Sequence, residues 1–295
     1  MNRDDAYRLL TADDLQIIEE RCSQQRRTGF GNRVDICAII NAANGGCTED
    51  CSFCAQSHSP GSVPLDTKKL TDAHKSATKA GVSRFSAVTS GKAGSADEMK
   101  RICEMAEMGR DLCSLCASMG ILDLESLKKL KRSGVTRYHH NLETSRTFFH
   151  RVCSTHTWEE RAETVANARK AGMEVCSGGI FGIGESDQDR IDLAFSLSEL
   201  QVDSVALNFF IPVPGSRIQC ERLSPEKMLR IIALFRLMDP RWEVRVCAGR
   251  NGFGKHERRI FNFGATGVMT GTLLTTEGSS QEYDRWIIEL AGYSV

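Results

Sequence analysis

The part of the chain with the clearest chemical potential is a short run of cysteines over residues 47–54. The run reads CTEDCSFC and places Cys47, Cys51 and Cys54 at C-x3-C-x2-C spacing. A loop of this length can wrap three thiolates around one face of a four-iron cluster, because cysteine thiolates hold iron–sulfur clusters. Three ligands for four irons leave one iron open, and an open iron can bind a small molecule and react with it.

Two simpler interpretations of these cysteines are a zinc knuckle and a group of core residues. A structural zinc site needs a fourth Cys or His at short spacing, and the next histidine, His58, lies beyond the loop. A free cysteine also packs as a small hydrophobe. The tight spacing favours the cluster over both alternatives.

Composition excludes several classes of protein. The 295 residues contain 38 Lys+Arg and 38 Asp+Glu, so no basic excess favours nucleic acid as a partner. The first residues lack the apolar run of a signal peptide, and no apolar run is long enough to span a bilayer. We therefore expect a cytoplasmic protein with no membrane partner. Its 12 cysteines favour metal or redox use, because disulfides are rare in that compartment.

The order of the predicted elements indicates a barrel. A helix is predicted over 4–27, and from residue 34 onward strands alternate with helices in eight units. The predicted strands are 34–41, 84–89, 111–118, 137–142, 174–181, 204–210, 242–248 and 267–270. The predicted helices are 65–79, 96–109, 122–133, 157–171, 187–200, 225–237, 255–263 and 281–290.

Strict β-α alternation argues for an α/β fold with a parallel sheet, and eight units fit a single-domain (β/α)8 TIM-type barrel. We expect an N-terminal helical extension over 1–33 and the barrel over 34–295. The alternative is an open doubly wound sheet, but the phosphate-binding fingerprint G-x-G-x-x-G is missing after the first strand.

The cysteine run directly follows the first predicted strand. Active sites of such barrels lie at the C-terminal ends of the strands, so the run falls on the functional face. Two further segments end strands on this face, YHHNLETS at 138–145 and VCSGGIFGIGE at 175–185. The first offers amide, carboxylate and hydroxyl groups, and the glycines of the second let the backbone approach a ligand closely. Taken singly, each segment also fits a polar turn or a tight barrel corner.

Together these segments resemble the biotin synthases, a family of radical S-adenosylmethionine (SAM) enzymes. The resemblance covers about 34–292 and rests on CTEDCSFCAQS, on NLETS and on CSGG. It implies that Cys47, Cys51 and Cys54 hold a 4Fe-4S cluster whose open iron chelates SAM. Phe53 fits the aromatic that precedes the last cysteine in this family.

The resemblance also implies roles for single residues at the strand ends. Glu143 would hold the SAM ribose, although aspartate is usual at this place, and Arg161 in WEER would pair with the SAM carboxylate. Ile180 would lie against the adenine. Asn141 and Asn208 would contact the substrate.

The activity implied by the resemblance is sulfur insertion into dethiobiotin to form biotin. A 5′-deoxyadenosyl radical from SAM would remove two hydrogens, and an auxiliary iron–sulfur cluster would supply the sulfur. The implied partners are a flavodoxin or ferredoxin as electron donor and a second copy of the chain in a homodimer. Two alternatives stay open: another radical SAM enzyme, such as a hydrogenase-cofactor maturase or a mutase, and a non-enzymatic iron–sulfur carrier.

The sequence departs from the family at the auxiliary cluster. The family holds a two-iron cluster with three cysteines and an arginine inside the barrel. Cys116 and Cys176 match two of the cysteines and Arg250 matches the arginine, but the third cysteine falls on Ser86. Serine is a poor ligand here, because such clusters select soft thiolates.

Additional cysteines compensate for this loss. Cys37, Cys116, Cys176 and Cys247 lie on the first, third, fifth and seventh predicted strands, and alternate strands share one interior layer of a barrel. Cys113 is a further candidate ligand, but it lies three residues before Cys116, so on a regular strand it points the other way and needs a bulge or turn to ligate. We expect a cysteine-rich auxiliary cluster of four irons, with Arg250 as a nearby donor. The simpler interpretation is a group of core cysteines.

Overall fold

The barrel strands are the elements that position every predicted site residue. The computed structural model describes residues 1–44, 46–56, 63–212, 216–273 and 278–295, and His58 lies outside these ranges. The barrel strands are β1 (Asp35–Asn41), β4 (Arg84–Val88), β5 (Ser114–Ser118), β6 (Arg137–His139), β7 (Glu174–Phe181), β8 (Ser204–Phe209), β9 (Glu243–Val246) and β10 (Gly267–Thr270). Within the described residues they close in the order β1-β10-β9-β8-β7-β6-β5-β4. The predicted closed barrel is confirmed, and the open sheet is excluded.

Helices cover the outside of the barrel. They are α1 (Arg3–Thr11), α2 (Leu15–Phe30), α3 (Thr67–Lys79), α4 (Ala96–Met108), α5 (Leu124–Ser133), α6 (Trp158–Lys170), α7 (Asp187–Glu199), α8 (Pro225–Met238) and α9 (Gln281–Leu290). Two short strands, β2 (Ala43–Asn44) and β3 (Val63–Pro64), pair antiparallel beside the cysteine run. None of the helices in the described ranges combines the length and apolar character that a bilayer crossing requires.

Two predicted helices differ from the structure. The single helix over 4–27 is two helices, because the Asp14 side chain accepts hydrogen bonds from the backbone N–H groups of Gln16 and Ile17 and starts α2 there. The predicted helix over 255–263 is replaced by the 3-10 helix η2 (Arg250–Ile260), which is kinked at Gly254 with φ of 51° and ψ of −131°. The division of the chain at residue 34 stays a prediction.

A layer of charged side chains fills the N-terminal end of the barrel interior. The Glu243 carboxylate accepts hydrogen bonds from Arg137 at 2.7 and 3.0 Å. Arg245 pairs with Glu243 and also with Asp35 at 3.0 Å, and Arg84 pairs with Glu174 at 3.1 Å. Burial alone would raise the pKa of Glu243, but Arg137 and Arg245 hold it well below its usual range. The layer therefore keeps fixed charges beneath the interior cysteines.

Replacing Glu243 by Gln removes the carboxylate that compensates Arg137 and Arg245. We expect the free energy of unfolding at pH 7 to fall by about 3 kcal/mol, because breaking a buried ion pair leaves an uncompensated charge. The folded-state pKa of Glu243 is lowered, so its stabilisation is present above its unfolded pKa of about 4.3 and is lost progressively as pH falls from there through the lowered folded-state pKa. Denaturant unfolding of the parent protein and of Glu243→Gln at pH 7 and at about pH 3 checks both statements.

The exposed residue Glu107 provides the matched control. Glu107→Gln should change stability by no more than about 0.5 kcal/mol, as surface substitutions usually do. Equal stability of Glu243→Gln and Glu107→Gln at pH 7 would contradict the role of the charged layer.

Candidate active site

One cavity of about 650 Å³ brings together most of the predicted site residues. It opens at the C-terminal ends of the strands and reaches down between them into the barrel. The predicted residues that line it are Cys37, Cys47, Cys51, Phe53, Cys54, Ser86, Cys116, Asn141, Glu143, Arg161, Cys176, Ile180, Asn208, Cys247 and Arg250. Loop cysteines and interior cysteines therefore share one space.

The cysteine loop is held from two sides by other loops. Ser52 N donates to Val152 O at 2.9 Å, and Arg217 N donates to Ser52 O at 2.8 Å. The Asp50 carboxylate accepts from Ser154 N at 2.9 Å. Burial alone would raise the pKa of Asp50, but the hydrogen bonds from Ser154 hold it well below its usual range. These contacts fix the backbone between the loop cysteines without using the thiols.

The Arg161 side chain connects three walls of the cavity. Its Nε donates to Asn141 O at 2.6 Å and its Nη2 pairs with Glu143 Oε1 at 2.7 Å. Its Nη1 donates to His156 Nε2 at 2.8 Å. The guanidinium is thus oriented by fixed partners at the site where the resemblance implies a carboxylate ligand.

Asn141 and Glu143 form a polar pair beside this arginine. Asn141 Nδ2 donates to Glu143 Oε2 at 3.3 Å. Asn141 Oδ1 is buried with no hydrogen-bond partner, and an unsatisfied buried acceptor in a cavity is a position for a ligand donor. Glu143 has a φ of +69°, which is uncommon for a residue other than glycine. The turn aims its carboxylate into the cavity and is typical of functional sites.

Glycines of β7 let the strand backbone approach the Glu143 turn closely. A Cβ on Gly179 would lie 2.4 Å from Glu143 O, and one on Gly178 would lie 1.9 Å from Ala206 O. Ile180 N then donates to Glu143 O at 2.8 Å. The glycine-rich segment therefore serves close backbone packing, and it brings Ile180 beside Glu143.

Asn208 extends the polar surface on β8. Its Nδ2 donates to Gly179 O at 3.3 Å, and its Oδ1 accepts from Ala248 N at 3.2 Å. Both halves of the amide are oriented by neighbouring backbone. The side chain is only partly buried and faces the cavity.

Four interior cysteines converge below the polar residues. Cys176 and Cys247 pack together with Ala206, and Ser86 and Cys116 are paired across β4 and β5. Burial raises the pKa of Cys116 to about 12. Burial would also raise the pKa of Cys176, but His139, Arg137 and Arg245 lower it to about 7. The interior combines thiols with fixed cations, which suits an anionic metal–sulfur group.

Arg250 was the predicted donor beside the auxiliary cluster, and that role stays a prediction. Arg245, not Arg250, lies among the interior cysteines, and its Nη1 donates to Cys37 Sγ at 2.7 Å. Arg250 borders the cavity, but a buried ion pair with Asp284 holds its guanidinium, and Glu257 lies 3.7 Å away. The sequence contained the signal for Arg245, because it lies two residues before Cys247 on a predicted strand and so shares its face.

The structure also removes Cys113 from the interior set. Cys113 does not line the cavity formed by the described residues. Its backbone N donates to Thr78 Oγ1 at 3.1 Å, and its carbonyl lies 2.7 Å from His74 Nε2, so it faces helix α3. The three-residue offset from Cys116 explains this position, because residues an odd number apart along a strand point to opposite faces.

Besides Arg245, three further residues around the cavity were not predicted from the sequence. His139 lines it beside Cys176, while Cys153 and His156 lie against Cys51. The C-x2-H spacing of Cys153 and His156 was visible in the sequence. Because Cys153 and His156 follow the fourth strand, they lie at the C-terminal end of the barrel, on the same face as the cysteine loop.

Comparisons with known proteins agree with this site. Residues 43–197 match the family model of the radical SAM superfamily, and residues 206–294 match that of the biotin and thiamin synthesis associated domain. A biotin synthase of Maridesulfovibrio salexigens is 44% identical over 90% of this chain and 84% of its own length. A biotin synthase of Clostridium perfringens is 41% identical over 100% of this chain and 95% of its own length. The chain belongs to the biotin synthase family.

Solved structures agree with the fold. Methylornithine synthase superposes with a TM-score of 0.84 at 21% identity and covers 99% of this chain and 93% of its own. The FeFe-hydrogenase maturase of Carboxydothermus hydrogenoformans superposes with a TM-score of 0.85 at 17% identity, covering 99% of this chain and 75% of its own. At such identities the likeness shows the barrel alone.

Biotin synthases use a 4Fe-4S cluster, SAM and an auxiliary iron–sulfur cluster. The residues present fit these groups. Three loop thiols border the cavity, and the buried Asn141 Oδ1 and Ser86 Oγ atoms lack partners there. The interior thiols and their cations supply the soft, charge-compensated donor set that an iron–sulfur cluster requires.

Replacing Arg161 by Ala should weaken equilibrium binding of SAM by about tenfold or more, because a charge-assisted contact to a carboxylate is lost. Isothermal titration of the cluster-loaded protein measures the dissociation constant. Arg169→Ala is the matched control, since Arg169 lies on the same helix and pairs with Asp203 at 3.3 Å. Unchanged binding in Arg161→Ala, or an equal loss in both variants, would contradict the assignment.

Proposed function

We propose that the protein inserts sulfur into dethiobiotin to form biotin in a radical SAM reaction. The observation that carries this proposal is the shared cavity, in which three loop cysteines and four interior cysteines open into the same space. A radical enzyme that only cleaves SAM needs the loop cysteines. Interior thiols beside the same cavity provide what sulfur insertion additionally requires, a second metal–sulfur group within reach of the substrate.

In this proposal the loop cysteines bind the cluster, and the surrounding barrel orients the bound groups. Cys47, Cys51 and Cys54 hold the four-iron cluster, leaving one iron for SAM. When bound, this cluster and SAM supply the 5′-deoxyadenosyl radical. The surrounding barrel orients these groups and excludes water from them.

SAM occupies the wall formed by the strand ends. Arg161 pairs with its carboxylate and Glu143 accepts hydrogen bonds from its ribose. Phe53 and Ile180 pack in one apolar cluster, and this surface accommodates the adenine. The Arg161–Glu143 ion pair at 2.7 Å holds both polar groups in place before the ligand binds.

Dethiobiotin lies between SAM and the interior thiols. Asn208 presents an amide whose orientation is set by Gly179 and Ala248. Asn141 adds the unpartnered acceptor Oδ1. Two amides of this kind match the donors and acceptors of a cyclic urea.

The auxiliary cluster has a cysteine-rich ligand set in this proposal. Cys37, Cys116, Cys176 and Cys247 are the available thiols, and Ser86 occupies the place of a family cysteine. Arg245 donates to Cys37 Sγ and stands near the sulfides as a hydrogen-bond donor. These four thiolates would hold a four-iron cluster, and the cluster would supply the sulfur.

The partners follow from the same proposal. A low-potential flavodoxin or ferredoxin supplies electrons, the chain acts as a homodimer, and it works in the cytoplasm. The likeness to the biotin synthases is what supports these assignments.

The reconstituted protein should form 5′-deoxyadenosine and biotin only when dethiobiotin is present. Both products are measured by liquid chromatography with mass spectrometry under anaerobic conditions that keep both clusters. Deoxyadenosine without biotin would indicate another radical SAM reaction on the same barrel. Cluster loading without SAM binding would indicate an iron–sulfur carrier.

A chain with Cys47, Cys51 and Cys54 all changed to Ala isolates the interior cluster. Iron and sulfide analysis with Mössbauer spectroscopy should show four irons per chain, because four thiols are available. Cys37→Ala and Cys247→Ala in this background should reduce the loading, whereas Cys113→Ala should not. Two irons with an oxidised diferric spectrum would contradict the four-iron assignment.

A further inference from the structure

The segment that follows η1 (Phe149–Arg151) places an unused pair of metal-binding side chains against the cysteine loop. Cys153 and His156 are buried, with 5% and 6% of their surfaces exposed. Cys153 Sγ lies 3.8 Å from Cys51 Sγ. The proposed function uses neither Cys153 nor His156.

Two distances among these side chains are close to the edges of a tetrahedral metal site. Zinc-type ions bind sulfur at about 2.3 Å and imidazole nitrogen at about 2.0 Å, so tetrahedral edges are about 3.8 Å between two sulfurs and about 3.5 Å between sulfur and nitrogen. The sulfurs of Cys51 and Cys153 are 3.8 Å apart, and Cys153 Sγ lies 3.3 Å from His156 Nδ1 and 3.7 Å from His156 Nε2. A metal at Nε2 therefore requires a small rotation of the Cys153 or His156 side chain. The ligand atoms of all three residues lie within 4.8 Å of one another.

The histidine is oriented as metal ligands are. Its Nδ1 lies 2.6 Å from Glu49 Oε2, and Thr155 Oγ1 also donates to this oxygen at 2.6 Å. A carboxylate that accepts the Nδ1 proton leaves Nε2 with a free lone pair, which is the arrangement around most ligating histidines. Arg161 Nη1 currently donates to that lone pair at 2.8 Å.

We propose that Cys51, Cys153 and His156 form a binding site for one divalent zinc-type ion in the cluster-free chain. The ion takes Cys51 Sγ, Cys153 Sγ and His156 Nε2, with solvent from the cavity as a fourth ligand. Two thiol protons leave to solvent, and Arg161 gives up its donation to His156. Cys51 cannot serve this ion and the loop cluster together, so the two occupants exclude each other.

The contacts of the cysteine loop support a preformed site. Asp50 is tied to Ser154 N at 2.9 Å and to Thr155 N at 3.2 Å, which fixes the loop containing Cys51 against the segment containing Cys153. A metal then needs little rearrangement of the backbone. The inference rests on this geometry and not on the identity of the substrate.

Titration of the full-length, anaerobic, cluster-free protein with Co2+ tests the site. Tetrahedral Co2+ with thiolate ligands gives intense visible bands, and zinc competition counts the tight sites. Cys153→Ala and His156→Gln should each bind one fewer tightly held Co2+ ion per chain than the parent protein. Glu49→Gln should lower the affinity of this site for Co2+ by about 10- to 100-fold, because the carboxylate that orients His156 is lost. Arg161→Met should strengthen it, because a competing donor and a positive charge are removed.

Cys103→Ala is the matched control, since Cys103 is a buried cysteine of α4 far from the loop in the sequence. Cys103→Ala should bind as many tightly held Co2+ ions as the parent protein. Circular dichroism of each variant checks that it is folded. Equal Co2+ stoichiometry and affinity in the parent, Cys153→Ala and His156→Gln would overturn the proposal. Weaker binding in Arg161→Met would also overturn it, and that variant keeps all three ligands.

Mutual exclusion is a second readout. One equivalent of Zn2+ added before iron and sulfide should slow assembly of the loop cluster by about tenfold in the parent, because Cys51 is already ligated. The delay should disappear in Cys153→Ala. A delay of the same size in both proteins would contradict a site that depends on Cys153.

Discussion

The close approach of β7 to its neighbours is the constraint on which the site depends. Gly178 packs against the backbone of Ala206, and Gly179 packs against the carbonyl of Glu143. Any side chain at either position would push these backbones apart. This contact brings the Glu143 turn, Ile180 and Asn208 to one surface, although they lie on three separate segments of the chain. The positive φ of Glu143 is held by the bonds from Ile180 N and to Gly178 O.

A second constraint is that charges buried in the barrel interior must be compensated by opposite charges. Buried thiols that are to bind metal as thiolates need nearby cations, and buried cations need carboxylates. The structure satisfies both, since Arg137 and Arg245 stand between the cysteines and Glu243. Burial raises the pKa of Cys116, whereas at Cys176 the contact with His139, together with Arg137 and Arg245, overcomes burial and lowers the pKa.

The sequence predicted the barrel and most of the site because the signals were local. Strand alternation, glycine stops and cysteine spacing each depend on neighbouring residues, and the eight strands are where the alternation predicted them. The helix over 4–27 was wrong because the cap at Asp14 outweighs the continuous helical periodicity on either side. Arg245 was not among the predicted residues, although the strand pleat directs it to the same face as Cys247.

The sequence by itself determined the chemistry that the protein can carry out: three thiols in one loop, further thiols on alternate strands, and amides and acids at strand ends. Only the tertiary structure decided which of these groups meet. It placed Cys113 outside the cavity, Arg245 inside it, and Cys153 with His156 against Cys51. The physical reason is that these outcomes depend on contacts between residues distant in the sequence: Cys51 with Cys153, Cys37 with Arg245, and Cys113 with helix α3. Such contacts are set by barrel closure and register, which no local pattern encodes.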